Sequence, residues 1–270
     1  MQYNPNLSGP IPVGLKSLSN SNAIRKLALQ ACNLNGTIPQ WIGTELKSLE
    51  YLGLGNNKLS GPVPSTITEL PNLEVLALDD NDLTANIDMF HTLTNIRSLL
   101  LEDNKITGTL SNALFASWKN LTYLDLSDNM ITGTLPDGLL AHSYKLRVLD
   151  LHGNDLTGKL SNVNFPTNDY LEFLALHENR LDGTIPTTIS NLEALEHLGK
   201  KRIKRERERE RSFVLGEQER GLNFSLPFVF LLSYCRFEFK WVYWNFTYNL
   251  RRYEEASISL HKCYSWIRTW

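Results

Sequence analysis

The chain has 270 residues, 42% of them hydrophobic, and a formal charge of -2. Those figures permit one or two ordinary domains and exclude a uniformly basic or acidic polymer. The near-neutral total hides a seam, because residues 1–199 carry 12 Lys and Arg against 21 Asp and Glu, whereas residues 200–211 carry 8 against 3.

Asn6-Leu7-Ser8-Gly9-Pro10-Ile11-Pro12 reads as the second half of a unit whose first half is missing. No charged segment followed by an apolar run precedes it, so no signal peptide is visible. The expectation is a fragment whose start, cap and targeting signal lie upstream, with an intracellular protein as the alternative. Complete units follow without a linker. In LEYLGLGNNKLSGPVPSTITEL (49–70) the apolar residues Leu49, Leu52, Leu54, Leu59, Val63, Ile67 and Leu70 fit neither a helix nor a strand throughout, but they fit a coil that turns once and returns. Aligning on the second leucine gives Leu27, Leu52, Leu76, Leu99, Leu124, Leu149, Leu174 and Leu198, in steps of 23 to 25 residues. A fixed period of that size is a solenoid signature.

In Leu52-Gly53-Leu54 the alternation sends both leucines inward and Gly53 outward, as a half-buried strand requires. One strand per coil, spaced about 4.8 Å from the next, builds a parallel sheet along one side. Burying each leucine stabilises by roughly 1.5–3 kcal/mol, but a single coil needs neighbours on both sides to do so. Behind the strands come Asn57, Asn81, Asn104, Asn129, Asn154 and Asn179, with Cys32 in the first coil. A side-chain amide has donors and an acceptor, so a stacked column can satisfy turn backbone that would cost about 1–3 kcal/mol per bare group. Gly36, Gly61, Gly108, Gly133, Gly158 and Gly183 follow, where a tight turn needs positive φ or close approach, and Ala85 breaks that column. The return segments 112–120 and 137–145 are long enough for a helical turn or two, and Ser161–Tyr170 reads as irregular loop.

Each unit reads L-x-x-L-x-L-x-x-N-x-L-x-G-x-I-P, and this pattern resembles the leucine-rich repeat family. Its G-x-I-P half is similar to the plant-type class found in receptor-like kinase ectodomains, receptor-like proteins and polygalacturonase inhibitors. The resemblance implies an α/β repeat fold: a right-handed solenoid over residues 1–199, with a parallel β-sheet on the concave face and short helical or irregular convex segments. It also implies an extracellular or cell-surface protein without enzymatic activity or cofactor, although Cys32, Cys235 and Cys263 do not supply the paired cysteines that flank extracellular members.

Function is expected on the outward strand positions, because solenoids bind along such surfaces. Tyr51, Asp79, Glu102, Tyr123, Asp125, Asp150, His152, Phe173 and His177 fall in these columns and present an acidic surface with isolated aromatic rings. The expected partner is a protein or peptide segment, basic by charge complementarity, or a glycan, and no nucleic acid is expected on an acidic solenoid. A stoichiometric inhibitor or scaffold without signalling is the alternative. Asp125 and Asp150 lie in register on neighbouring strands and repel one another unless something screens them. Asp125, Asp150, His152 and His177 are candidate metal ligands and Ser127, His152 and Asp150 a candidate nucleophile set, but neither has a motif spacing, and the expectation is no metal and no catalysis. Sequons at Asn6, Asn35 and Asn120 are glycosylation candidates.

At Lys200 the eighth coil is expected to break, leaving a basic Arg/Glu segment at 200–211 and an aromatic-rich tail at 212–270 that is read as disordered or as non-native sequence from a retained intron. Leu222–Cys235 is too short for a membrane span and is interrupted by Pro227. Alternating Arg-Glu is what a GA dinucleotide repeat encodes, and Gly199-Lys200 can be written GGTAAG, which matches a splice donor. Transcript sequencing through codon 199 is therefore expected to recover a dominant message that replaces the tail with further repeat sequence; a dominant message encoding the tail in frame refutes this.

Overall fold

A computed structural model describes residues 3–21 and 24–198, and the basic segment and tail expected from the sequence lie outside the described residues. Among the described residues the first seven coils contribute two strands each and the eighth one. The first coils give β1 (Lys26–Ala28), β2 (Asn35–Gly36), β3 (Tyr51–Gly53), β4 (Lys58–Pro62), β5 (Val75–Ala77), β6 (Asp82–Asn86), β7 (Ser98–Leu100) and β8 (Lys105–Thr109). The later ones give β9 (Tyr123–Asp125), β10 (Met130–Thr134), β11 (Val148–Asp150), β12 (Asp155–Lys159), β13 (Phe173–Ala175), β14 (Arg180–Asp182) and β15 (His197–Leu198). The odd-numbered strands form an eight-stranded parallel sheet and the even-numbered ones a seven-stranded sheet, both in sequential order. The eighth coil does form its strand, with Leu198 beside Leu174.

The first sheet pairs like with like, as in Leu27 beside Leu52 and Leu149 beside Leu124. Its inward leucines meet the return segments in one continuous core in which Leu52, Leu76, Leu99, Leu124, Leu149 and Leu174 are fully buried. Trp118 is buried there too; its indole N–H donates to the Phe90 carbonyl at 3.0 Å and its ring meets Phe115 edge-on. A buried tryptophan is affordable only with such an acceptor.

The asparagine column does the work expected of it in every full coil. Asn104 Nδ2 donates to the carbonyls of Leu78, Leu101 and Glu102 at 3.0–3.2 Å, and its Oδ1 accepts from Leu83 N–H at 2.9 Å. One side chain thus ties its own turn to the preceding coil. In the first coil Cys32 donates its thiol to Gln30 O, while Asn57 Oδ1 accepts from Cys32 N and Leu34 N.

The sequence did not announce the second sheet. Segments such as Lys105-Ile106-Thr107-Gly108-Thr109 bury Ile106 and expose Thr107 and Thr109 around a glycine at φ 107°. Across this sheet partners are staggered by two residues, so that Thr132 lies beside Thr109 and Thr157 beside Thr134. Threonine hydroxyls at 107, 132 and 157 each donate to a carbonyl of the coil before. The glycine column has a second cause besides φ: a Cβ on Gly158 would come within 2.9 Å of the Thr134 methyl. Ala85, the exception in that column, is not among the residues with positive φ.

Return segments are mostly single 3-10 turns, with short helices α1 (Trp41–Glu45) and α2 (Asn112–Ser117). Ser111 caps α2 by accepting from Leu114 N–H at 3.1 Å. The segment 137–145 forms turns instead of the expected helix, because Gly138 weakens it and its N–H is held by Asn112 Oδ1 at 3.1 Å. The expected irregular loop 161–170 begins inside a 3-10 turn, Leu160–Asn162, and is irregular beyond it, pinned by Asn168 Oδ1 accepting from the N–H groups of Tyr170 and Leu171.

Asn104→Leu removes four hydrogen bonds and leaves the buried Leu83 N–H without its acceptor, so it should destabilise the solenoid by about 2–4 kcal/mol in urea unfolding. A loss below about 0.5 kcal/mol would mean that the column does not hold the coils together.

Candidate functional site

The first sheet sets the outward side chains in three columns. Lys26, Tyr51, Val75, Ser98, Tyr123, Val148 and Phe173 follow one another in register. Lys26 Nζ sits 4.9 Å above the Tyr51 ring, whose hydroxyl accepts from Gln30 Nε2. The second column places Asp125 directly beside Asp150, with Leu100 on one side and Ala175 on the other. Asp79, Glu102, Ser127, His152 and His177 form the third, one residue past the inward leucine that follows each strand, and backbone bonds such as Asp128 N–H to His152 O at 2.9 Å continue the ladder there.

All nine expected site residues therefore lie on one side of one sheet. Eight are buried and His177 is half-buried, so the open acidic surface read from the sequence is in fact a recessed layer. Part of the reason is that Ala77, Leu100, Tyr123, Val148, Phe173 and Ala175 make a second apolar cluster on this side. The Asp79 carboxylate lies over Gly55, whose missing Cβ leaves it room.

The aspartates that face one another are each engaged within their own coil. Asp125 Oδ1 accepts from Ser127 N–H at 3.1 Å and from its hydroxyl at 2.6 Å. Asp150 Oδ1 accepts from His152 N–H at 3.2 Å and lies 2.6 Å from its Nδ1. The other ring nitrogen of His152 lies 3.4 Å from Asp128 Oδ2, and His177 stacks on the ring with centroids 4.5 Å apart. Burial works against a charge on His152, but hydrogen bonds to Asp128 and Asp150 and the negative charge of both carboxylates overcome it, raising the pKa from 6.5 to about 9. The imidazolium lies between Asp150 and Asp128 and so offsets the charge of one member of the Asp125/Asp150 pair.

This geometry separates the candidate nucleophile set: the Ser127 hydroxyl is committed to Asp125, and His152 to Asp150 and Asp128. Among the described residues no three His, Cys, Asp or Glu side chains converge as a metal site.

Sequence reasoning gave no geometry for the corner where each strand turns. Asn56, Asp80, Asp103, Asp128 and Glu178 occupy it with φ between 49° and 55°, a left-handed conformation that Asn and Asp tolerate best. Asp103 and Glu178 are exposed, and Asp80 lines a cleft with Asn56, Lys58, Asp82 and Asp103 on the flank between the sheets. The signal was the Asp or Asn just before four of the six ladder asparagines, with Gly153 and Glu178 before the other two.

Family profiles described as leucine-rich repeats match residues 22–83, 94–156 and 170–192, together more than half of the chain. The chain belongs to the leucine-rich repeat family. Within it, this leucine-rich repeat protein is of the plant type. Receptor-like protein 34 of Arabidopsis thaliana is 36% identical over 112 residues, which are 40% of this chain and 11% of that one. Across the first three curated relatives the chain spans 7–11% of their length. The solved plant peptide hormone receptor RGFR1, in complex with RGF2, is similar with a TM-score of 0.56 and 28% identity, over 70% of this chain and 33% of that one. A plant ice-binding protein is similar with a TM-score of 0.61 and 29% identity, over 73% of this chain and 61% of that one. Among the described residues no helix is long and apolar enough to cross a membrane.

Because the folded-state pKa of His152 lies above its unfolded value, its contribution is complete below about pH 6.5 and is lost as the pH rises through about 9. Thermal unfolding of the wild type should therefore show stability falling between those values, by at most about 3 kcal/mol, and His152→Gln should flatten the slope. Equal slopes in the two proteins would contradict the ion-pair assignment.

Proposed function

We propose that this solenoid recognises a peptide or protein segment on the concave sheet, as the ligand-sensing part of a receptor-like protein outside the cell or at its surface. The observation that carries the reading is the chemistry of the columns: aromatic rings of Tyr51, Tyr123 and Phe173 in one, and carboxylates Asp79, Glu102, Asp125 and Asp150 in the two beside it. Because these residues are buried, the reading requires the layer to open to its ligand, after which the rings offer stacking along one line and the carboxylates pair cationic side chains along the next. His152 divides it, because its imidazolium is already engaged by Asp150 and Asp128, while His177 extends the ring stack toward the last coils. The exposed corner carboxylates Asp103 and Glu178 flank the strip and attract a basic segment toward it.

The names of the similar proteins support this reading: several are receptor-like proteins, and RGFR1 was solved with a peptide hormone.

The test is a panel of synthetic basic dodecapeptides against acidic and neutral controls, measured by biolayer interferometry on the full chain. Basic peptides should be retained selectively, and affinity should fall at least tenfold in Asp125→Asn/Asp150→Asn and in Asp103→Lys/Glu178→Lys, both checked for native circular dichroism. No selectivity for basic peptides, or unchanged affinity in the exposed double variant, refutes the reading.

A further inference from the structure

We infer that Asn35 and Asn120 are N-glycosylation sites, and that both glycans project from parts of the solenoid other than the concave sheet. Asn35-Gly36-Thr37 and Asn120-Leu121-Thr122 have the acceptor spacing, with a residue other than proline between asparagine and threonine. Spacing alone is frequent by chance, and it is the placement of these two residues in the fold that makes the assignment.

Asn35 lies in β2, the last strand of the second sheet's order, where its backbone N–H donates to Gly9 O at 3.0 Å. That bond fixes the backbone, while the side chain is exposed and makes no hydrogen bond among the described residues. Its counterparts in successive coils are Ser60, Thr84, Thr107, Thr132 and Thr157, and from Thr84 on these side chains are exposed. A substituent on Asn35 Nδ2 therefore leaves over an open face and displaces no packed group. Asn120 lies between α2 and β9, half-buried, with its Oδ1 held by Lys145 Nζ at 2.9 Å. That single contact engages the oxygen and, among the described residues, leaves the nitrogen, the atom that would carry the sugar, without a hydrogen-bond partner. A fully buried asparagine such as Asn129, whose Nδ2 donates to three carbonyls, could not accept a sugar without losing the coil.

The group transfer uses a lipid diphosphate-linked oligosaccharide as co-reactant. The asparagine Nδ2 attacks the anomeric carbon; the C–N glycosidic bond forms as the bond from that carbon to the diphosphate oxygen breaks. The lipid diphosphate leaves with the electron pair, and the amide proton passes to a base of the transferase.

The placement has a structural consequence. A sugar tree on Asn35 stands over the exposed face of the second sheet, and one on Asn120 stands on the return side of the fourth coil. The first sheet, from β1 to β15, carries no acceptor sequon among its strand residues. Partners are thereby kept from the face of the second sheet around Asn35 and left the concave columns, an arrangement that holds whatever ligand those columns take.

The full chain, produced in plant cells behind a cleavable secretion leader, is recovered from both secreted and microsomal fractions. It is then digested with peptide-N-glycosidase in 18O-water and mapped by mass spectrometry. Labelled aspartate is expected at positions 35 and 120, and Asn35→Gln and Asn120→Gln should each remove one glycan-sized mobility step while leaving circular dichroism native. Unmodified asparagine at both positions in either fraction, or modification confined to Asn6, overturns the assignment.

Discussion

The side-chain amide of one asparagine per coil is the interaction on which the rest depends. Where each strand ends, the chain must turn inward and strand its backbone groups in a dry interior, and no regular secondary structure can pair them there. The amide supplies donors to carbonyls of two adjacent coils and an acceptor to the coil before, as Asn129 does for Leu101, Leu126, Ser127 and Ile106. Leucine burial gives the stack its driving force, but burial is non-directional. The amides convert it into a defined register, which is why Leu124 lies between Leu99 and Leu149.

That register creates the columns on the concave sheet. Outward residues are free of the core's demands, so their chemistry can vary without disturbing the coil, yet they are placed with strand precision. The cost is that charges in register face their own kind. Here the cost is offset locally, by a hydroxyl for Asp125 and an imidazolium for Asp150.

What could be read from the sequence follows the same division. Leucines, ladder asparagines and glycines were legible because each answers a constraint that recurs in every coil, and even the Cys32 exception carried its meaning. The second sheet was less so: Ile106-Thr107-Gly108-Thr109 reads as a turn because of its glycine, and only the inward Ile106 with outward Thr107 hints at a strand. At the site, the columns were legible from spacing, whereas their burial was not, since it depends on which neighbours close over them. The bond between His152 and Asp150 was also hidden, because it requires residue 152 to curl back over 150 at a corner whose neighbour, Asp128, adopts φ 51°. One-dimensional spacing places residues two apart on the same side but says nothing of that curl.

Pairing like with like across the first sheet has a consequence for how such a chain can change over generations. Every junction between coils is chemically the same kind of junction, so unequal exchange between neighbouring coils, which adds or deletes a whole number of them, creates no interface of a new kind. Exchange within a coil would instead offset an asparagine against a leucine. Return segments of different length are tolerated because the ladder fixes only the strand and its turn, which accounts for steps of 23 to 25 residues in one continuous stack. The unit of inheritance in this protein is thus the coil, and its surface columns can be lengthened or edited one letter at a time while the grammar beneath them stays constant.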